Sequence, residues 1–158
     1  MTYYARLRWV PFALFLVPAV SAAEGLSTSF VDVVVMDAPL GSPKRVEDSK
    51  GNSLVLRNLG ENVIHVEVQV LTPDPNELRP PAEPIPDTGW IRIVPDRLEL
   101  GPKETAQCSV VISLPKKKNL RNRIFQAMIW SRGQPAGEHG MTVSAGLKSR
   151  LRIQTVKH

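Results

Sequence analysis

Ile64-His65-Val66-Glu67-Val68-Gln69-Val70 alternates an aliphatic residue with a polar one over seven positions. Side chains of a strand point to its two faces in turn. The stretch therefore predicts a strand from Val63 to Leu71, with the aliphatic residues buried and His65, Glu67 and Gln69 in water. Upstream, Ser53 to Asn58 places Leu54 and Leu56 on one face. Leu59-Gly60-Glu61-Asn62 separates the two runs as a turn, which predicts a hairpin, although the turn is not the tight Asn-Gly type. Downstream, Thr105 to Leu114 sets Ala106, Cys108, Val110, Ile112 and Leu114 on one face, and Pro115 stops it. Phe30 to Met36 (apolar almost throughout), Trp90 to Val94, Ile124 to Trp130 and Met141 to Val156 complete the set. About seven strands between turn signals, with no sustained helical period after Ala23, predict an all-β chain folded as a single immunoglobulin-like β-sandwich. A barrel is the alternative at this strand count.

The chain has 158 residues, a length for one domain. Fourteen prolines argue against long helices. Six of them, Pro73, Pro75, Pro80, Pro81, Pro84 and Pro86, crowd Thr72 to Gly89. Lacking ladder donors there, this segment should run extended over the surface or along a sheet edge. A single cysteine excludes an intramolecular disulfide and a multi-cysteine zinc site.

Residues 1–22 read as a secretory signal peptide. Arg6 and Arg8 form a positive start, Val10 to Val20 is apolar, and Val20-Ser21-Ala22 or Ser21-Ala22-Ala23 supplies the cleavage site. The apolar run is about a dozen residues, short of the roughly 20 that span a bilayer. The expectation is an exported domain, 23–158, periplasmic or secreted, with no transmembrane segment after cleavage. No cysteine stands near the cleavage site to carry a lipoprotein anchor. Charge is unevenly placed in the remainder. From Pro115 onward ten bases stand against the single acid Glu138, whereas residues 23–114 carry eight bases and fourteen acids. Such asymmetry can steer an acidic partner. In an exported protein that partner is a protein or an anionic surface, not a nucleic acid.

No catalytic arrangement emerges. Ser131 and Ser144 lack a Gly-x-Ser-x-Gly elbow. Cys108 falls on a core face, where a thiol is inert. His65, His139 and His158 have no spacing that gathers a metal site. Glu47 with Asp48, and Asp96 with Glu99, read as turn residues and solvated charge. The reading is non-enzymatic, with neither cofactor nor metal.

Two strands suggest binding. Ile124 to Trp130 is apolar on both faces. Phe125, Ala127 and Ile129 suit the core, which leaves Ile124, Met128 and Trp130 outward, to be covered by the proline-rich segment or by a partner. The last strand alternates apolar residues with bases. Placed at a sheet edge, it would pair with a strand of another protein through Val143, Ala145, Leu147, Leu151 and Ile153, with Lys148, Arg150 and Arg152 steering an acidic partner. The alternative is a structural or adhesive envelope component that holds an anionic cell-surface polymer or glycan at Lys116, Lys117, Lys118, Arg121 and Arg123. Trp90 or Trp130 could serve as a carbohydrate platform.

Trp90-Ile91-Arg92-Ile93-Val94-Pro95-Asp96-Arg97-Leu98-Glu99-Leu100-Gly101-Pro102-Lys103-Glu104, followed by a strand ending at Leu114-Pro115, resembles the N-terminal domain of periplasmic pilus-assembly chaperones. Asn122-Arg123-Ile124-Phe125-Gln126-Ala127-Met128-Ile129-Trp130 and Lys148-Ser149-Arg150-Leu151-Arg152-Ile153 are similar to that family's next and last strands. The resemblance runs from about Phe30 to the C-terminus. It implies an exported Ig-like binding module, chaperone-like or accessory in assembling a surface appendage or secreted protein. Its partner would be an appendage subunit or another envelope protein. Chaperones of that family have two domains and anchor the client's C-terminus through basic residues in the cleft between them. This sequence offers one such domain, so that anchoring role is not carried to Arg57 or Lys148.

Overall fold

A computed structural model describes residues 25–48, 50–136 and 145–157. The signal-peptide reading (residues 1–22), His139, Val143, Ser144 and His158 lie outside them. Eleven strands occur among the described residues, in two sheets. Sheet one holds β1 (Leu26–Thr28), β3 (Pro43–Val46), β4 (Leu54–Asn58), β7 (Ile91–Val94) and β9 (Thr105–Ser113). β9 is its spine: β3 and β4 pair with successive halves of one side of it, β7 pairs with the other side, and β1 lies outside β4. Sheet two runs β2 (Asp32–Ala38), β11 (Ala145–Thr155), β10 (Ile124–Pro135), β5 (Ile64–Leu71), β8 (Arg97–Leu100). The two-residue β6 (Glu83–Pro84) pairs beside the start of β10.

The inner faces are those the alternation marks. Leu54, Leu56, Cys108, Val110 and Ile112 enter from sheet one, and Val66, Val68, Phe125, Ala127, Ile129, Leu151 and Ile153 from sheet two. Each fully buried aliphatic side chain contributes on the order of 1.5–3 kcal/mol. Trp90 meets the Phe125 ring edge-on, centroids 6.0 Å apart. Cys108 is fully buried, and burial pushes its thiol pKa up.

Seven of the eleven strands are the expected ones. β1, β3, β6 and β8 are additional, each only two to four residues and too short for a periodic signal. β10 continues to Pro135, five residues past the expected stop, because the small, buried Ser131 and Gly133 keep it paired to β5. The expected hairpin is overturned. β4 pairs with β1 and β9, and β5 with β10 and β8, so Leu59 to Val63 arches from one sheet to the other. Asn58 fixes the arch. Its buried amide nitrogen donates to the carbonyls of Asn62 (2.7 Å), Leu100 (3.2 Å) and Gly101 (2.9 Å), and its oxygen accepts the Gly60 N–H (2.8 Å). Both strands still turn their aliphatic residues into one core, from opposite sides.

Candidate partner-binding edge

The proline-rich segment settles the two-faced strand. Beyond β5 it crosses the outer face of β10, where Gln126 and Met128 are buried along with the core residues. Gln126 anchors it: the side-chain oxygen accepts the Arg79 N–H (2.9 Å), the amide nitrogen donates to the Glu77 carbonyl (2.8 Å), and its backbone oxygen accepts the Ile85 N–H (2.9 Å). The outer face of β10 is thus covered by the chain itself at Gln126 and Met128.

The last strand, which would bind a partner if it lay at a sheet edge, is flanked over its second half. β2 lies parallel to it and pairs with Arg150 to Thr155. Leu151 and Ile153 are fully buried core residues, and Leu147 packs half-buried against the core. The stretch from Ala145 to Ser149 has β10 as its one ladder partner among the described residues. The bases of β11 are also engaged. Arg150 and Arg152 both reach Asp32 on β2 (3.1 and 3.2 Å), and Lys148 reaches Glu77 (2.7 Å). Alternation predicts which face a side chain takes, and it does so correctly here. It carries no information on strand order, and strand order decides which strand is free.

The uneven charge along the sequence is largely folded against itself on sheet two. Glu67 bridges Arg97 and Arg132 at 3.2 Å each, and Arg123 pairs with Glu83. A hydrogen bond from Lys148 holds the Glu77 carboxyl below the usual range and raises the Lys148 pKa in return. Glu67 is lowered by a side-chain hydrogen bond with Gln69 and then by Arg97, and Glu83 by Arg123. Arg123, whose guanidinium also lies 5.2 Å from the Phe125 ring centroid, therefore leaves the candidate anionic-surface set. Lys116, Lys117, Lys118 and Arg121 stay exposed, with no ion pair to a described residue. Trp90 and Trp130 are both half-buried; Arg132 stacks 5.5 Å from the Trp130 centroid, and Trp130 leans on Gly146. Among the described residues no group of three or more His, Cys, Asp or Glu gathers as for a metal ion.

Among the described residues β2 lies at one edge of sheet two. Its inward residues Val33 and Val35 are buried, while Val31, Val34 and Met36 are 61%, 46% and 52% exposed. Arg150 N–H donates to the Val31 carbonyl at 2.7 Å, which sets the parity of the strand. Backbone groups of Val31, Val33 and Val35 face β11, and those of Asp32, Val34 and Met36 face outward. Lys44 covers one of these, its ammonium donating to the Met36 carbonyl at 2.6 Å. At the opposite end of the sheet, β8 is four residues long and turns Arg97 and Glu99 outward, a short charged edge of the kind that discourages pairing. β2 is longer and apolar. The nearly unbroken apolar run from Phe30 to Met36 was the signal: a strand with one face on the core does not need an apolar second face.

No sequence-family profile matches the chain, and no curated protein matches it by sequence. Solved structures do. The ASH/PapD-like domain of human CEP192 (PapD-like domain 7) superposes with a TM-score of 0.61 at 14% identity, over 96% of this chain and 99% of that one. The Salmonella enterica SafA pilin–SafB chaperone complex gives 0.56 at 12% identity, over 84% of this chain and 55% of that one. The YadV chaperone gives 0.53 at 11% identity, over 82% and 51%. The chain spans about half the length of these chaperone matches. The likenesses establish the fold: an Ig-like sandwich similar to PapD-like domains and to the N-terminal domains of pilus chaperones.

Proposed function

We propose that this chain is an exported, non-enzymatic Ig-like module of the bacterial envelope, periplasmic or secreted, that binds an extended segment of a protein partner by strand addition to β2. The exposed apolar edge of β2 carries the reading. Unpaired backbone groups give affinity, and outward side chains at every second position give selectivity. The partner's strand would place apolar residues beside Val34 and Met36. An appendage subunit or another envelope protein in an unassembled state exposes such a strand. The likeness to chaperone domains supports a chaperone-like or accessory role in assembly.

Val34→Pro tests it. The Val34 N–H faces outward, so proline removes no ladder bond of the fold while denying the partner a donor. Wild-type protein and the variant, matched for melting temperature, are used to capture partners from an envelope extract. Hydrogen exchange is then followed on the purified complex. Loss of capture by the variant, with slowed exchange at the Val34 and Met36 amides in the wild-type complex, is the expected result. Unchanged capture, or protection elsewhere with β2 still exchanging freely, overturns the assignment.

A further inference from the structure

The two outer faces of the sandwich treat their cations differently. On sheet two, Arg97, Arg123, Arg132, Lys148, Arg150 and Arg152 each face a carboxylate. On sheet one, Arg45 of β3 and Arg92 of β7 are exposed, and neither has a carboxylate within ion-pair distance among the described residues. Register brings these two together. Arg45 and Arg92 are the partners of Val111 from its two sides, so the three residues form one row across β3, β9 and β7. Their neighbours Val46, Val110, Ile112, Ile91 and Ile93 are buried, so the row points to solvent. Two strand spacings put the arginine Cα atoms about 10 Å apart.

A third cation is held at the end of the same strand. Gly41, at φ +80° just before β3, donates its N–H to the Leu114 carbonyl at 2.7 Å. The Lys116 stem lies so close to it that a Cβ on Gly41 would stand 2.9 Å from the Lys116 Cβ. The contact fixes the base of the Lys116 side chain beside Gly41, in the exposed turn that follows β9. Lys117 and Lys118 are exposed beside it. Like charges gathered without counterions repel, and a bound anion relieves that repulsion.

We propose that the outer face of sheet one binds a linear polyanion, an acidic polysaccharide lying along β9. Arg45 and Arg92 straddle the polymer above Val111, and the exposed lysines of the turn after β9 add to the attraction. The guanidinium fork suits carboxylate, sulfate and phosphate alike. A line of cations longer than one sugar, on a flat strand with no large apolar side chain standing out near the arginine row except Val94, fits a polymer better than a bilayer, which would require an apolar group to insert. This site goes beyond the β2 reading, uses the other sheet, and stands or falls without it.

The test measures binding of the full chain to fluorescent polygalacturonate, with neutral dextran as the blank and phosphatidylglycerol vesicles as the membrane arm. Arg45→Glu and Arg92→Glu should each weaken polygalacturonate binding by about tenfold. Arg79→Glu, an equal charge change on the proline-rich segment, should alter it by less than about twofold. Raising salt to about 0.5 M should abolish binding. Both arginines are exposed, and unchanged thermal melting of the variants shows that the fold is kept. Equal loss with Arg79→Glu would reduce the effect to net charge and overturn the site. So would full binding by Arg45→Glu/Arg92→Glu, or binding to the vesicles with none to the polymer.

Discussion

The side-chain oxygen of Gln126 accepts the backbone N–H of Arg79, 47 residues earlier, at 2.9 Å. Gln126 is fully buried, and its side-chain nitrogen donates to the Glu77 carbonyl. One side chain thus ties a strand to a segment that its prolines exclude from the ladder. Gln126→Leu leaves one donor and one acceptor of the strap unpaired and should destabilise the domain by about 2 kcal/mol. It should also open residues 72–84 to proteolysis before global unfolding. Urea denaturation and limited digestion check both; an unchanged digestion pattern would show that the strap is held without the Gln126 side chain.

Asn58 should be more sensitive to chemistry than to size. Its nitrogen faces three carbonyls at 2.7–3.2 Å, so Asn58→Asp sets a carboxylate against three oxygens at nearly the same volume. Asn58→Ala merely leaves the groups unpaired, at about 2–3 kcal/mol. The expected order of stability by chemical denaturation at neutral pH is wild type, then Ala, then Asp. An aspartate variant as stable as the alanine one would remove Asn58 as the pin of the arch.

Acid should weaken the outer face of sheet two. Glu67, Glu77 and Glu83 have folded pKa values below the ordinary 4.5, so the unfolded chain takes up protons first as pH falls. Their contribution is fully present above about pH 5, and is lost as pH drops through the depressed folded values. Melting temperature against pH should be level near neutrality and fall on the acid side. Glu77→Gln should flatten that fall. Lys148, raised by Glu77, contributes in the opposite sense, and its share is lost as pH rises above the ordinary lysine value. A profile for Glu77→Gln that overlays wild type would show the Lys148 contact to be without effect in solution.

Lys44 guards the β2 edge through the Met36 carbonyl. Lys44→Ala frees that acceptor, and the purified protein should then self-associate at concentrations where wild type is monodisperse. Light scattering during concentration reads this directly. Adding Val34→Lys to the same chain should restore monodispersity. If it does not, association proceeds through another surface.

Alternation made the core faces of β4, β5, β9, β10 and β11 legible, since Leu54, Val66, Val110, Ile129 and Leu151 all point where the period of two sends them. Partnership was not legible. Leu59 to Val63 arches between sheets because Asn58 finds three carbonyls, two of them on residues more than 40 positions away, and no local pattern encodes that. The bases of β11 looked free because Asp32 and Glu77 lie 118 to 120 and 71 residues before them. Over Arg150 to Thr155 the edge fell to β2 rather than β11 for the same reason. Strand order is a property of the assembled sheets.

Among the described residues Asp32 to Ala38 has its one ladder partner in β11, so these two parts of sheet two are each other's precondition. A growing chain cannot complete that sheet until β11 has been made. Until then β2 has no ladder partner, and the inner face of β10 lacks Leu151 and Ile153 beside it. Long-range pairing of this kind slows folding and postpones it until β11 has been synthesised. The domain behaves as a buckle whose two halves, β2 and β11, are far apart along the belt. It remains slack for as long as β2 and β11 are kept apart, and removing β11 should leave it unfastened altogether.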